Sequence, residues 1–190
     1  MTFGEIRKLI VKDEHRCLEL KKTTGELQDG MHSACAFLNT DGGWLIFGVA
    51  PISLKILGQQ VTDNTQREIA QALAGLYPAV EAKPEYIDVP GRPGDQLIAI
   101  HFNGWKWGQM PYTYRGCPYY KRESTTQIMP QEMYEERLRA AKPDVFAWER
   151  QVAEGKALSD LDENRIRGAV RLGVERGRMP ATAEAESLDL

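Results

Sequence analysis

The sequence predicts an α+β fold, a mixed or antiparallel sheet packed with helices, followed by a C-terminal helical extension. Three observations predict it. Short apolar runs of strand length alternate with helical-period segments along residues 1–141. Glycine- and proline-rich turns separate them. Beyond Pro143 no strand pattern follows, and only charged amphipathic stretches remain, VFAWERQVAEG and LDENRIRGAVRLGVERG. The expected division is a domain over residues 1–141 and, over residues 142–190, a helical extension or linker to a module beyond Leu190.

Thr2 is placed to cap a first helix in which Phe3, Ile6 and Ile10 recur at helical spacing. CLELKK then alternates as a strand, with Leu18 and Leu20 on one face and Glu19 and Lys21 on the other. Gly25 to Leu38 reads as a helix with a Leu27, Met31, Ala34 and Leu38 stripe, although Gly30 within it costs about 1 kcal/mol of helix propensity. Trp44 to Val49 is a buried strand, and Lys55 to Leu57 a short one ending at Gly58. A helix is expected from Thr62 to Leu76 with Ile69, Leu73 and Leu76 inward, stopped near Pro78. Tyr86–Val89 and Gln96–Phe102 flank the turn sequence PGRPGD, and two more short strands fit Tyr112–Tyr114 and Pro118–Arg122. Pro130 opens a last helix through Met133, Tyr134 and Leu138.

A chain of 190 residues with 42% hydrophobic and 27% charged content describes an ordinary soluble protein with one sizeable core. No apolar run approaches the roughly 18 residues a membrane span requires. The N-terminus turns polar too early for a signal peptide. Cys17, Cys35 and Cys117 are too few and too scattered for a disulfide framework, which points to reduced thiols in a cytoplasmic protein. His15, His32 and His101 show no metal-ligand spacing. The net charge of −3 gives no global argument for nucleic acid. Residues 105–122, however, hold Lys106, Arg115, Lys121 and Arg122 and no acid.

Gly42 and Gly43, at the head of DGGWLIFGV, permit a close backbone approach or a positive φ. A helix-to-strand turn accounts for them as well as an anion-receiving turn does. The wider pattern is more specific. Glu14, Glu19, Leu20 and Lys21 in an E-x-x-x-x-E-L-K pattern precede a helix containing SACAFLNT, then DGGWLIFGV, then a glycine after KIL. With PYTYRGCPYYKRESTTQI supplying closing strands, residues 1–140 resemble the Schlafen-type AlbA-like family, DNA-binding domains of bacterial transcription regulators and of Schlafen proteins. SDLDENRIRGAVRLGVERGRMP is similar to the connection into an ATPase-like module in multidomain members, which implies an ATP-binding part beyond Leu190.

The resemblance implies two activities. Some Schlafen members cut structured RNA with three acids, and the first two match Glu14 and Glu19. The third is expected directly after the strand, where Val49-Ala50-Pro51 carries none. Paired carboxylates can hold a divalent metal that places an attacking water, so magnesium or manganese enters only under this alternative. With the third charge missing, the chain is expected to bind rather than cleave, with no cofactor of its own. Binding needs only cations and stacking rings on one surface. Seven of the sixteen aromatics lie between Phe102 and Tyr120, at least half of them expected in the core, with Trp105 and Trp107 exposed in the WKWG loop. The expected partner is nucleic acid, DNA ahead of RNA. The expected contacts are Lys21, Gly42, Gly43, Trp105, Lys106, Trp107, Arg115, Lys121 and Arg122, converging on one face. A homodimer or partner-binding module is the third class.

Overall fold

A computed structural model describes residues 1–11, 16–142, 160 and 162–180. Its first helix, α1 (Phe3–Ile10), starts where the Thr2 hydroxyl accepts the Glu5 N–H and the Glu5 carboxylate accepts the Thr2 N–H, a reciprocal cap. Ile6 and Ile10 point inward from it. Glu14, His15 and the VFAWERQVAEG stretch lie outside the described residues.

The strand β1 (Leu18–Lys21) alternates as its sequence predicts, with Leu18 and Leu20 buried and Glu19 and Lys21 only partly so. The next helix opens as a tight 3₁₀ turn at Thr24–Glu26, and α2 (Leu27–Leu38) follows. This helix is the crossover that lets β2 (Gly42–Phe47) run parallel to β1, pairing Leu18 with Trp44 through Lys21 with Phe47. Gly30 has a packing reason: a Cβ there would stand 2.9 Å from Cζ of Phe47, so glycine lets α2 lie close on β2.

Beyond β2 the expected strand at Lys55–Leu57 is absent. Ile56 makes only a bridge to Val49, and the strand β3 falls at Gln59–Gln60. Helix α3 (Asp63–Leu73) begins at the Thr62 cap but stops before Leu76. At Gly75 the backbone turns so close to Tyr114 that a Cβ would lie 2.8 Å from its ring, and Leu76 opens β4 (Leu76–Tyr77). Leu76 is still buried, but as a strand residue paired with β7 (Thr113–Tyr114). Around PGRPGD, β5 (Glu85–Asp88) and β6 (Asp95–Asn103) pair antiparallel as expected. Ala99 of β6 partners both Ile46 and Glu85, so β6 lies between β2 and β5. With β3 also on β6, the sheet has five strands and β1 at an edge.

A hairpin of β8 (Tyr119–Arg122) and β9 (Thr125–Ile128) follows. The second strand lies in the stretch that the resemblance assigns to closing strands, but alternation does not mark it, because Thr125, Gln127 and Ile128 are exposed. Helix α4 (Gln131–Ala141) starts after Pro130. The chain divides into two units, Met1–Phe146 and Ala147–Leu190. In the second, α5 (Glu163–Glu175) is capped by the Asp162 carboxylate, which accepts the Arg165 N–H at 3.1 Å. No described helix is long and apolar enough to cross a membrane.

The first unit is built in layers. One face of the sheet (Leu45, Phe47, Ile98, Ile100, Phe102) packs under α2 and α3. The other (Leu18, Leu20, Ile46, Leu97, Ala99) packs under α1. The β8–β9 hairpin lies against α2, where the Ser33 and Thr126 hydroxyls are 3.0 Å apart and Lys121 sits over the Phe37 ring. The parity of β1 therefore turns Glu19 and Lys21 toward the α2 side, where that hairpin meets them.

Candidate nucleic-acid interface

Glu19 is where β1 and the hairpin join. Its carboxylate accepts from the Lys121 ammonium at 2.7 Å and lies 3.1 Å from that of Lys21. Lys121 is only 2% exposed, and its remaining reach goes to the Ser124 carbonyl at 3.1 Å. Burial by itself would raise the Glu19 carboxyl, but the hydrogen bond and charge of Lys121, joined by Lys21, hold it below its ordinary value. Burial would lower Lys21, and Glu19 outweighs that too, so Lys21 titrates above its ordinary value. Both cations are ion-paired to the same carboxylate, which leaves the cluster a net charge of +1 held within the fold. Lys121, expected on a phosphate-binding strand, is enclosed instead, because its position on β8 faces the interior beside Phe37.

The same arrangement bears on the metal alternative. Glu19 has each oxygen beside an ammonium, an environment that competes with any divalent cation. Among the described residues no group of three or more His, Cys, Asp or Glu could hold a metal ion. Glu14, the other acid of the proposed pair, lies outside the described residues.

Gly42 and Gly43 are buried members of β2, paired with Asn103 and Phe102, so they present no open turn to an anion. Their role is clearance. At φ +81°, a Cβ on Gly42 would lie 2.7 Å from the Gly104 nitrogen, and one on Gly43 would lie 2.6 Å from the Cys17 carbonyl oxygen. Here the end of β6 and the residue before β1 crowd the head of β2. Gly43→Ala is expected to destabilise the protein by about 2 kcal/mol, the usual scale for overpacking against a backbone that cannot yield. A chemical-denaturation midpoint checks this, and an unchanged midpoint would remove the clearance role.

That crowding carries the chain into the loop between β6 and β7. The Trp105 N–H donates to the Thr40 carbonyl at 2.9 Å, and its indole N–H donates to the Gln109 carbonyl at 3.0 Å. Arg137 of α4 lies 4.2 Å from the centre of the Trp105 ring and donates to the Asn39 carbonyl at 2.7 Å. Burial lowers the Arg137 guanidinium from its ordinary value, but an arginine remains charged at neutral pH. Trp107 meets Trp105 edge to face at 5.8 Å and is 71% exposed. Lys106 between them is exposed, and no described acid pairs with it. Beside this loop runs a groove of about 540 Å³ whose lining includes His101, Asn103, Lys106, Gln109 and Glu81.

Arg115 stands elsewhere. At φ +50° it caps the turn after β7, lies 5.3 Å over the Tyr114 ring, and borders a second groove with Thr24, Gln28 and Glu68. Arg122 is exposed at the end of β8. The expected residues thus fall into separate places: Lys21 and the buried Lys121 joined at the partly buried Glu19, the Trp105–Lys106–Trp107 loop beside the paired glycines, and the outlying Arg115 and Arg122. Of the seven clustered aromatics, Phe102 and Tyr114 are core and Tyr112 and Tyr119 pack on it. Sequence reasoning missed Arg137 and Asn39. Arg137 lies in a charged helix with nothing to mark it, and Asn39 looks like an ordinary helix end while its side chain turns inward.

Comparison with known proteins adds the lineage. No curated protein matches the chain. Among the solved structures that do is the DIP2311 protein from Corynebacterium diphtheriae, 14% identical over 66% of this chain and 24% of that one, with a TM-score of 0.44. So distant a likeness carries no inference, and this chain spans about a quarter of that protein. The family model described as Schlafen, AlbA_2 matches residues 14–130, well over half of the chain. Its span takes in the Glu19 strand, the paired glycines that head β2, the tryptophan loop and the closing hairpin: this chain belongs to the Schlafen AlbA_2 family, a nucleic-acid-related domain.

Proposed function

We propose that the first unit binds nucleic acid, DNA ahead of RNA, as the binding module of a bacterial-type transcription regulator. One observation carries the reading: the loop after β6 holds an exposed lysine between two tryptophans, at the rim of a polar groove. Phosphate contacts supply most nucleic-acid affinity, and rings beside a cation let bases add to it. Lys106 is the phosphate contact. Arg115 and Arg122 are outlying cations that a longer nucleic acid reaches. Lys21 and Lys121 hold the fold at Glu19, and Gly42 and Gly43 hold the loop in place.

A salt titration of a fluorescently labelled DNA duplex and stem-loop tests this. Affinity is expected to fall with salt, and Lys106→Glu to weaken binding severalfold and reduce the log–log slope by about 1. Salt-independent binding, or binding untouched by Lys106→Glu, would overturn the assignment. The nuclease reading is disfavoured by the two ammonium groups on Glu19. Structured RNA incubated with magnesium or manganese is expected to stay intact.

A further inference from the structure

We infer that the β6–β7 loop takes an unpaired stretch of nucleic acid, one base stacking on the Trp107 ring while Lys106 meets a neighbouring phosphate. The inference rests on the nucleic-acid reading and narrows its ligand to single strands. Exposure alone would not carry it, since single apolar side chains on a surface are ordinary. What distinguishes Trp107 is that a rigid seat presents it. The Gln109 side chain accepts the Lys106 N–H at 3.1 Å, and the Gln109 N–H donates to the Lys106 carbonyl at 3.0 Å, closing a tight turn beneath the ring. Trp105, which Trp107 touches edge to face, is fixed from behind by Arg137 and from below by the Gln109 carbonyl. A ring already held in place binds without the ordering loss of a mobile loop.

Charge decides between single and double strands. The groove beside the loop carries Lys106 but also Glu81, so the local field is weak. A duplex drawing on about 6–10 phosphate contacts finds, among the described residues, only Lys106 on the groove and the half-buried Arg137 behind Trp105. Stacking needs no such array: an aromatic platform strengthens binding by about five- to a hundredfold per base, whatever the base. Base faces are available in unpaired strands and hidden inside a duplex, so this loop discriminates by strandedness.

Fluorescence anisotropy on the 190-residue chain tests the inference, with a labelled thymidine oligonucleotide of about 12 nucleotides and the same labelled strand annealed to its adenosine complement as a blunt duplex. The single strand is expected to bind at least about tenfold tighter. Trp107→Ala should remove most of that preference and Trp107→Phe should keep most of it, with circular dichroism confirming that both fold. Equal or tighter duplex binding, unmoved by Trp107→Ala, overturns the single-strand assignment and leaves the nucleic-acid reading standing. Absence of binding to either probe overturns both. If Trp107→Ala instead abolishes a concentration-dependent self-association and leaves oligonucleotide binding unchanged, the ring is an interface between copies and the inference is wrong.

Discussion

Asn39→Ala is expected to lower the unfolding free energy by about 4 kcal/mol, a large share of the 5–15 kcal/mol typical of a folded chain. Asn39 is fully buried at the end of α2. Its amide donates to the Tyr112 carbonyl at 2.7 Å and the Tyr119 carbonyl at 2.8 Å, and its carbonyl oxygen accepts the Tyr112 N–H at 2.8 Å. One side chain thus joins the helix to the approach of β7 and the start of β8. Alanine removes three hydrogen bonds worth about 1 kcal/mol each and strands backbone groups whose desolvation costs about 1–3 kcal/mol apiece. Some of that penalty is relieved where the strands can shift toward water. For a chain of this size the thermal midpoint should fall by roughly 10 °C. Asn39→Asp, nearly identical in shape, is expected to be no better at neutral pH, because a carboxylate cannot donate to two carbonyls. If calorimetry finds either variant within 1 kcal/mol of the parent, the clasp does not form in solution.

Lys121→Met should cost about 3 kcal/mol, the lower end of what removing one partner of a buried ion pair costs, because Glu19 retains Lys21 at 3.1 Å. Methionine keeps most of the packing on Phe37, so the loss reports the charge. The double variant Glu19→Gln with Lys121→Met should recover much of it, since no buried carboxylate is left exposed to its own desolvation. The pair also sets an acid limit. A carboxyl depressed in the folded state adds stability that is present above its unfolded value and lost as pH falls through the folded one. The parent should therefore lose stability as pH drops below about 4.5, the ordinary value of Glu19. In Lys121→Met that loss should be shallower. Denaturation midpoints across pH 3–7 read both effects (the window spans the carboxyl range), and identical slopes in parent and variant would count against the pairing.

Both residues show where legibility ends. The alternation of LELK predicts that Glu19 and Lys21 share a face, and they do. Nothing in YYKR says that Lys121 lies inward, because an isolated four-residue strand has no reference for which face is the core. The aromatic crowding between Phe102 and Tyr120 is visible in one dimension, but its sorting into core rings and one exposed indole depends on where β7 and β8 dock. The apolar spacing extends the expected helix to Leu76, whereas α3 ends at Leu73 and the chain turns at Gly75 so that Leu76 pairs with β7.

The separated motifs carried the resemblance to the family, while local periodicity and turn chemistry were enough to determine the α+β class, the helix cap at Thr2 and the parity of β1. These depend on neighbours within a few residues, whose spacing is written directly in the chain. Tertiary structure alone decided which cations reach water, that the paired glycines serve clearance, and that Arg137 backs Trp105. Those outcomes depend on residues about thirty to a hundred positions apart being brought together, and a desolvated charge takes whatever partner that packing supplies.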